Sequence, residues 1–446
     1  MGMTGIQILK FLPKTNCGEC GVPTCLAFAM QLATGKAELE KCPYVAEESK
    51  AKLAASAAPP VRPLTVGTGE YAVKVGGETV SFRHEKTFVN PPGLACLVSS
   101  DEAEASIQGK IDRFKACQFE RVGLNLRPEM FALKDASNDP ATYKAFVQKF
   151  MGLCDASLIL ICPNPDVMAA AMEVAAERKP LLYAVTLKNG PKMAKLAKDF
   201  GCPAVVRGDG NMDTVIKLTE NLGKMGLKDL VIDTGTREPH RLYQELTLIR
   251  RSALATFRPL GYPTIVFPCE MASDLDNETL LSALYIAKYG SFIVMSDFQA
   301  HSLFPLLLSR LNIYTDPQRP MTAEQGIYPI GNPDENSPVL VTSNFSLTYF
   351  IVSGEIESSR VPAWLLVQDT EGLSVLTAWA AGKFNGETVG TFVKKSGIAD
   401  KISQKKVIIP GYAAAISGEL EEELGGWQVV VGPREASQIP KFLKTL

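Results

Sequence analysis

Four of the ten cysteines lie in the first tenth of the chain, at a spacing that could bind a metal centre. Cys17, Cys20, Cys25 and Cys42 form the pattern C-x2-C-x4-C-x16-C, and Pro43 follows the last of them. Thiolates on a glycine-rich loop can converge on one soft metal centre, and a fourth can reach it from the end of an intervening helix. Such four-cysteine sites hold either zinc or a cubane iron–sulfur cluster.

Three features of this segment favour a 4Fe–4S cluster. Gly18 and Gly21 leave backbone N–H groups free to approach sulfur, and such hydrogen bonds tune the cluster potential. A proline after the last cysteine also occurs in bacterial ferredoxins, whereas a zinc ribbon more often has two C-x2-C pairs. We therefore predict a 4Fe–4S cluster. Structural zinc remains the alternative, and disulfides or free thiols are least favoured.

The composition describes an ordinary multidomain globular protein of 446 residues with a net charge of −2. No basic field is available for nucleic acid or an anionic membrane, so neither is expected as a partner. The N-terminal apolar run is too short for a signal peptide, and no stretch reaches the roughly 18 apolar residues of a membrane span. The remaining cysteines are scattered and are expected to be reduced thiols in a cytoplasm. An exposed cluster there suggests an anaerobe.

The chain is expected to begin with a cluster domain over residues 1–57, followed by a linker to about residue 63. Short helices are predicted at 4–12 and 26–40 within this domain. A domain this small has little core, so the metal must supply much of its folding energy. Residues 47–63 are rich in alanine and charge and end in a proline pair, as in a semi-rigid linker. The cluster domain is therefore predicted to be tethered and mobile.

Residues 64–320 are predicted to form a TIM (β/α)8 barrel. After a hairpin at 65–82, apolar strand candidates alternate with helical segments, as expected for parallel strands covered on both faces. Eight such units over about 230 residues fit the usual size of this fold. The predicted strands are 87–98, 119–126, 157–163, 180–186, 204–208, 229–235, 264–269 and 292–297.

Chemistry in such barrels sits at the C-terminal ends of the strands. Asp233 and Asp297 lie there and could act as acids or bind a pterin. Because no histidine or second carboxylate clusters with them, we favour roles in capping helices or bonding loop backbone. The barrel is then a scaffold or an interface. The polar residues at the predicted strand ends are Asn125, Asn164, Thr186, Arg207, Asp233, Glu270 and Asp297.

Residues 325–446 are predicted to form a smaller Rossmann-like domain after a connection rich in proline, asparagine and aspartate at 316–338. Strands are expected at 339–344, 363–369, 406–411 and 427–433. A ligand of such a sheet lies beyond the carboxyl ends of the strands. Small and hydroxylic residues follow all four strands, at 342–344, 370–374, 411–415 and 432–433, and would let backbone approach a large flat ligand. No G-x-G-x-x-G or P-loop indicates a nucleotide.

The cysteine motif, the eight-unit barrel and the terminal Rossmann-like domain together resemble the large (gamma) subunits of corrinoid iron–sulfur proteins. These belong to the reductive acetyl-CoA (Wood–Ljungdahl) pathway of carbon fixation, and the resemblance covers essentially the whole chain. It implies that the C-terminal domain binds a cobalamin-type corrinoid. The contacts that it predicts are Thr342, Ser346, Thr370, Gly372, Leu373, Ser374, Gly411, Tyr412, Ala413, Gly432 and Pro433, with Thr370 or Ser374 facing cobalt.

The resemblance also implies a function and its partners. Cobalt would accept a methyl group from methyltetrahydrofolate, delivered by a separate methyltransferase, and pass it to acetyl-CoA synthase/CO dehydrogenase. A smaller barrel subunit would complete a heterodimer and cover the cofactor, and a low-potential donor would supply electrons. The chain would be the carrier component of a methyltransferase system rather than a stand-alone enzyme.

Histidine usage distinguishes this chain from many methyl-carrier domains, whose D-x-H-x-x-G motif supplies a ligand to cobalt. The chain lacks that motif and has no histidine after His301. We therefore expect a base-off corrinoid without an imidazole from this chain. Because a strong lower donor stabilises the higher cobalt states, its absence eases access to Co(I). The cluster would reduce Co(II), formed by adventitious oxidation, back to Co(I).

Two functions of other classes remain open. The barrel could itself be a pterin-dependent methyltransferase that uses Asp233 or Asp297. Alternatively, the chain could be a cluster-bearing electron-transfer subunit whose terminal domain binds a flavin or only a partner.

Overall fold

The computed structural model describes residues 5–33, 37, 39–46, 49–50, 53, 58–121, 124–316 and 321–446. The chain divides into two compact units. The first comprises residues 1–118 and 127–314, and the second comprises residues 119–126 and 315–446. Most of the predicted linker segment 47–57 lies outside the described residues, as do 34–36 and 38 of the predicted second helix.

The N-terminal region is built on two short helices, α1 (Gly5–Leu9) and α2 (Cys25–Ala33), and a 3-10 turn at Leu39–Lys41. Ile8, Phe28 and Ala29 form the centre of its small apolar cluster. The helices approach closely at Gly5, where an added Cβ would lie 2.3 Å from the sulfur of Met30. The glycine therefore permits this crossing.

A hairpin precedes the barrel, as predicted. Strands β1 (Leu64–Val66) and β2 (Val73–Val75) pair antiparallel, with Leu64 opposite Val75. Valines of both strands are buried in the same apolar cluster as residues of the barrel strands.

Eight parallel strands form the barrel sheet, which confirms the predicted fold class. Strand β10 reaches β11 through a parallel bridge between Ile232 and Thr264, so the sheet closes on itself. Five-residue runs such as 157–161 and 181–185 are buried throughout, as expected for strands covered on both faces. The strands are β3 (Gly93–Ser99), β6 (Met130–Lys134), β7 (Ser157–Ile161), β8 (Leu181–Val185), β9 (Ala204–Arg207), β10 (Leu230–Asp233), β11 (Ile265–Val266) and β12 (Phe292–Met295).

Helices alternate with these strands, and several begin with a side-chain cap. Asp139, Asn164, Asn211 and Asp274 each accept a hydrogen bond from a backbone N–H in the first turn of the helix that follows. The helices are α3 (Glu104–Ala116), α4 (Pro140–Leu153), α5 (Pro165–Ala175), α6 (Gly190–Phe200), α7 (Met212–Lys224), α8 (Pro239–Leu254), α9 (Leu275–Ala287) and α10 (Ala300–Ile313).

One predicted barrel strand, at 119–126, is wrong. This segment forms the antiparallel strands β4 (Phe119–Arg121) and β5 (Leu124–Leu126), which pair with each other and belong to the second unit. The second barrel strand is instead β6, in which residues 130–133 are fully buried. The charged Glu120 and Arg121 suit a half-exposed hairpin, whereas β6 is a continuous apolar run.

The second unit contains a five-stranded sheet in the order β13–β15–β14–β16–β17. The strands are β13 (Gly326–Ile330), β14 (Val339–Ser343), β15 (Ala363–Gln368), β16 (Lys406–Ile409) and β17 (Gln428–Val431). The last four match the predicted strands and run parallel. Strand β13 was not predicted: it lies within the predicted connection 316–338 and pairs antiparallel with β15. Its Pro329 is tolerated because the strand lies at an edge.

Helices separate the parallel strands of the second unit. They are α11 (Ser346–Ser359), α12 (Val375–Ala380), α13 (Gly386–Ser396), α14 (Ser417–Leu424) and α15 (Ile439–Leu443), with a 3-10 turn at Gly411–Ile416. Among the described residues of the whole chain, no helix combines the length and apolar character that crossing a bilayer requires.

Candidate functional site

The cysteine loop is ordered by hydrogen bonds around the start of α2. Cys25 is the first residue of this helix, and its N–H donates to Oδ1 of Asn16 at 2.8 Å. Oγ1 of Thr24 accepts from the N–H of Ala27 at 3.1 Å. Gly18 and Gly21 have φ angles of 77° and 81° and are joined by a 2.9 Å backbone hydrogen bond. Apart from the adjacent residues of the chain, no atom of the described residues lies within 4 Å of the position of a Cβ on either glycine, so the backbone there is open to approach.

The predicted cysteine ligands share one small region. Cys25 and Cys42 are 7% and 4% exposed and belong to the same apolar cluster, against which Cys20 packs. Cys17 is exposed. Tyr44 donates to Oε1 of Glu19 at 2.8 Å, and this bond raises the pKa of the Tyr44 phenol. The negative charge of Glu19 raises it further.

The four cysteines have the donor chemistry of a soft-metal site. Thiolates are the ligands that both structural zinc and iron–sulfur clusters take, so the residue types fit either centre. Among the described residues, no three histidine, cysteine or acidic side chains are grouped closely enough to hold one metal ion.

The second unit has a cavity of about 320 Å³ at the carboxyl ends of β14, β16 and β17. Strand β14 lies between β15 and β16. The connection from β14 leads to β15 on one side, and the connection from β15 crosses back to β16 on the other side. Such a switch point is where open α/β sheets bind ligands. The lining is mainly apolar, including Val341, Val352, Ile408 and Ile409.

Thr342 supplies a free hydroxyl to this cavity. Its side chain lies on β14 and is 1% exposed, and its Oγ1 has no hydrogen-bond partner among the described residues. Leaving a buried hydroxyl unpaired costs about 1–3 kcal/mol. A ligand with a polar group at this depth would satisfy it.

Two glycines bring the loops after β16 and β17 together. The N–H of Gly411 donates to the carbonyl of Pro433 at 3.0 Å, and that of Gly432 donates to Ile409 at 2.9 Å. A Cβ on Gly411 would lie 2.7 Å from the Gly432 oxygen. Beside them Tyr412 is half-exposed, and its phenol donates to Glu435 at 2.8 Å, which raises the pKa of Tyr412. The close approach of these loops shapes one wall of the cavity.

The loop after β15 is internally bonded. Thr370 is 1% exposed, and its hydroxyl lies 2.9 Å from Oδ1 of Asn344 and 2.8 Å from the carbonyl of Leu373. The N–H of Gly372 also donates to Asn344, at 3.0 Å. The hydroxyl of Ser374 lies 3.0 Å from that of Thr377, and Ser374 lines the cavity.

The structure brings together part of the predicted corrinoid set. Thr342, Ser374, Tyr412, Gly432 and Pro433 line the cavity. Six others lie in the adjoining loops or in the packed interior: Ser346, Thr370, Gly372, Leu373, Gly411 and Ala413. Lining residues that the sequence reasoning missed include Thr348, Val352, Arg434, Ala436 and Ile439. The first two are four residues apart on α11, a helical spacing that could have revealed them.

The carboxylate of Asp233 at the end of β10 is fully engaged. Tyr183 donates to its Oδ2 at 2.6 Å, and Arg237 donates to both oxygens at 3.0 Å. The N–H of Gly235 donates to Oδ1 at 2.8 Å. Burial raises the pKa of Tyr183, and the Asp233 charge raises it further. Arg237 also pairs with Glu270. Asp233 thus holds its loop, as the favoured interpretation predicts.

Asp297 is occupied in a similar way. It forms an ion pair with Arg113 at 2.7 Å and accepts from the N–H of Phe298 at 2.8 Å and from Gln299 at 2.9 Å. Of the other predicted strand ends, Asn164 caps α5, Thr186 bonds Asn189 and Arg207 pairs with Asp209. Asn125 was wrongly placed at a barrel strand end, because it lies in the β4–β5 hairpin.

Two family models match the chain. A model described as CO dehydrogenase/acetyl-CoA synthase delta subunit matches residues 63–443. A second, described as a putative Fe-S cluster, matches residues 12–44 and so includes the four N-terminal cysteines.

Relatives of similar length extend this match to the whole chain. The corrinoid/iron-sulfur protein large subunit of Moorella thermoacetica is 44% identical, over 100% of this chain and 99% of the relative. The acetyl-CoA decarbonylase/synthase complex subunit gamma of Methanopyrus kandleri is 39% identical, over 99% and 97%. That of Methanothermobacter thermautotrophicus is 34% identical, over 100% and 99%.

Solved structures offer only remote likenesses. Dihydropteroate synthase from Thermus thermophilus is 13% identical with a TM-score of 0.40, over 56% of this chain and 100% of that one. A phospho-2-dehydro-3-deoxyheptonate aldolase from Thermotoga maritima is 10% identical with a TM-score of 0.38, over 56% and 72%. Similarity this low has no bearing on ligand or activity.

Proposed function

The chain belongs to the family of corrinoid/iron–sulfur protein large subunits and acetyl-CoA decarbonylase/synthase gamma subunits, and we propose that it is a methyl carrier. In this proposal residues 1–57 hold a 4Fe–4S cluster, residues 64–320 form a barrel scaffold and residues 325–446 bind a corrinoid. When bound, the corrinoid supplies the cobalt that takes a methyl group from methyltetrahydrofolate and gives it to acetyl-CoA synthase.

The cavity of the second unit is the proposed corrinoid site. Its volume of about 320 Å³ suits a part of such a ligand, with the remainder on the loops at the rim. The unpaired hydroxyl of Thr342 would bond a polar group of the ligand, and the apolar wall would exclude water. Gly411 and Gly432 would allow a flat ligand to approach backbone closely.

No residue of this unit can provide an imidazole to cobalt, because the last histidine of the chain is His301. A corrinoid held by this unit would therefore lack the imidazole donor that many methyl-carrier domains provide. Without such a donor, the cofactor would reach its reduced, methyl-accepting state more easily.

Cys17, Cys20, Cys25 and Cys42 are proposed to hold the cluster. The helix N-terminus at Cys25 favours negatively charged ligands, and the open backbone at Gly18 and Gly21 can donate to sulfur. The cluster would supply the electrons that restore oxidised cobalt. A low-potential donor would in turn reduce the cluster.

The proposed partners are a smaller barrel subunit, a separate methyltetrahydrofolate:corrinoid methyltransferase and acetyl-CoA synthase/CO dehydrogenase. Support comes from the names of relatives that match this chain from end to end. In particular, the methanogen relatives are subunits of an acetyl-CoA decarbonylase/synthase complex.

The single observation that carries the proposal is 44% identity to a corrinoid/iron-sulfur protein over the whole chain. The test is cobalt and iron content, with a visible spectrum, of anaerobically purified chain expressed alone and with the small subunit. About one cobalt and about four irons per chain, with base-off cobalt bands, are expected. Iron with a flavin spectrum and no cobalt would favour electron transfer instead. Methyl transfer from methyltetrahydrofolate by the chain alone would favour a barrel methyltransferase.

A further inference from the structure

Asn344, the first residue after β14, faces the loop that follows the neighbouring strand β15. The two strands are parallel, with Ser343 paired to Gln368, so Asn344 and Asp369 emerge side by side. Nδ2 of Asn344 donates to Oδ1 of Asp369 at 2.9 Å. Asn344 is 4% exposed. An amide and a carboxylate are thus joined where both strands end, beside the proposed corrinoid site.

The other end of the same amide holds the loop backbone. Oδ1 of Asn344 accepts from the N–H of Thr370 and from the N–H of Gly372, both at 3.0 Å. The hydroxyl of Thr370 lies 2.9 Å from the same oxygen. Asp369 adds a 2.9 Å bond from the N–H of Glu371. Asn344 therefore accepts from two backbone N–H groups of this loop, and Asp369 accepts from a third.

The loop conformation needs such support. Glu371 has a φ of 56° and Gly372 a φ of 76°, so two consecutive residues are left-handed. A residue with a Cβ, such as Glu371, is strained in this region. Strained backbone persists only where its surroundings determine it, and it concentrates at functional sites.

The loop leads directly into the wall of the cavity. Ser374 ends it, and Ser374, Val375 and Leu376 at the start of α12 all line the cavity. Thr342, two residues before Asn344, lines it as well. Moving the loop would therefore displace one wall of the cavity relative to β14.

We infer that Asn344 and Asp369 form a clamp that positions the 370–374 loop for the corrinoid, although neither residue lines the cavity. Asn344 is thus a positioning residue that acts through the loop backbone. The inference rests on the proposed function, because it assigns the loop to the site of that cofactor.

Exchanging the two side chains provides the test. Asn344→Leu removes every side-chain hydrogen bond of Asn344 and leaves only the bond from the N–H of Glu371 to Asp369. Asn344→Asp sets two carboxylates against each other. The double variant N344D/D369N restores an amide–carboxylate pair with the direction reversed, and the new carboxylate still meets the donors of Thr370 and Gly372. The amide nitrogen at position 369 then replaces the oxygen that accepts from the N–H of Glu371, so this one bond is lost. Asp369→Asn alone keeps an Oδ1 atom that can accept from Nδ2 of Asn344 and from the N–H of Glu371. Asn277→Asp is a matched control, since Asn277 donates to Asp274 at 2.7 Å on the barrel.

Two readouts are measured on full-length chain with the small subunit. The first is the dissociation constant for reduced hydroxocobalamin, corrected for the folded fraction. The second is hydrogen exchange of a peptide spanning 369–374 in corrinoid-free protein. We expect binding at least tenfold weaker and faster exchange for N344L and N344D. The double variant should bind at least about threefold more tightly than N344D, because a hydrogen-bonded pair is restored, and D369N should stay within about threefold of the wild type, because every bond is kept. N277D should also keep wild-type affinity, because Asn277 lies on the barrel and not in the unit that carries the proposed corrinoid site.

Either of two results would overturn the inference. One is wild-type corrinoid affinity in N344L or N344D; the other is a folded double variant that binds as weakly as N344D. If the single variants do not fold, the double variant decides alone. A wild-type chain that binds no hydroxocobalamin overturns the proposed function and the cofactor role of the clamp together. Hydrogen exchange in the corrinoid-free chain then still reports whether Asn344 holds the loop.

Discussion

The guanidinium carbon of Arg121 lies 4.1 Å from the centroid of the Phe350 ring. Arg121 belongs to the β4–β5 hairpin, which is inserted in the chain between barrel elements α3 and β6. Phe350 belongs to α11, the helix that also carries Thr348 and Val352 of the cavity lining. The hairpin is therefore part of the structure that supports the proposed corrinoid site.

The first prediction concerns the energy of this contact. A partly buried cation–π pair contributes about 0.5–2 kcal/mol, and Arg121→Met keeps the side-chain stem while removing the charge. A double-mutant cycle with Phe350→Leu, measured by chemical denaturation, should give a coupling energy in that range. The control pair is Lys401 and Trp364. Nζ of the exposed Lys401 lies 5.5 Å from the centroid of the Trp364 ring. It should couple by about 0.5 kcal/mol or less. Additive effects of R121M and F350L would contradict the prediction.

Cluster ligation is tested by single cysteine changes. Cys25→Ser or Cys42→Ser should lower the iron content well below about four per chain and destabilise the N-terminal region, since metal binding contributes folding energy there. Iron analysis and the visible spectrum of anaerobic protein provide the measurement. Cys202→Ala is the control, because Cys202 is buried near α6 and outside the motif. Full iron in both serine variants would exclude these cysteines as ligands.

Substitution of Gly411 tests the close approach of the two loops at the cavity. A Cβ there would lie 2.7 Å from backbone atoms of Gly432, Pro433 and Arg434, so Gly411→Ala must displace a loop. Overpacking of this kind costs about 1–3 kcal/mol. We expect lower stability in denaturation and weaker corrinoid binding. Gly418→Ala in α14 is the matched control, with no atom within 4 Å of its Cβ. It should stabilise by about 0.5–1 kcal/mol. Equal behaviour of both variants would refute the steric argument.

The pH dependence of stability is predicted to change at Glu278. This carboxyl is 4% exposed and accepts from the N–H and the hydroxyl of Ser296, each at 2.5 Å. Burial raises its pKa despite these bonds. Because the folded pKa exceeds the unfolded one, the neutral form stabilises the fold, and that stability is lost as pH rises through the folded pKa.

Glu278→Gln should therefore gain stability relative to the wild type as pH rises from about 4 to 7, since glutamine keeps both bonds without the charge. Denaturation at several pH values measures the trend. The control is Glu104→Gln at an exposed site. The hydrogen bond with Lys149 lowers the pKa of Glu104. The free energy of unfolding of the wild type should therefore increase relative to that of E104Q as pH rises. A pH-independent difference for E278Q would show that Glu278 does not carry the effect.

The strand pattern predicted the barrel well but misplaced one of its strands. Residues 119–126 were interpreted as a barrel strand because their apolar residues match strand propensity. They pair instead as a hairpin, and β6, which is buried over residues 130–133, takes the barrel position. Similarly, the segment 326–330 contains Pro329 and was interpreted as connection, although edge strands accept proline. Local composition reports strand propensity, whereas pairing depends on partners distant in the chain.

The sequence by itself determined the features that depend on residue type and on spacing along the chain. The four-cysteine motif, the βα periodicity and the lack of histidine after His301 are of this kind, because ligand chemistry and hydrophobic period are local properties. Only the tertiary structure decided which strand ends meet at the cavity, that Thr342 keeps an unpaired hydroxyl there and that Thr370 does not. It also revealed that Asn344 holds the loop of Thr370 across two strands. These relationships arise from packing between segments far apart in sequence, and no local pattern encodes which segments become neighbours.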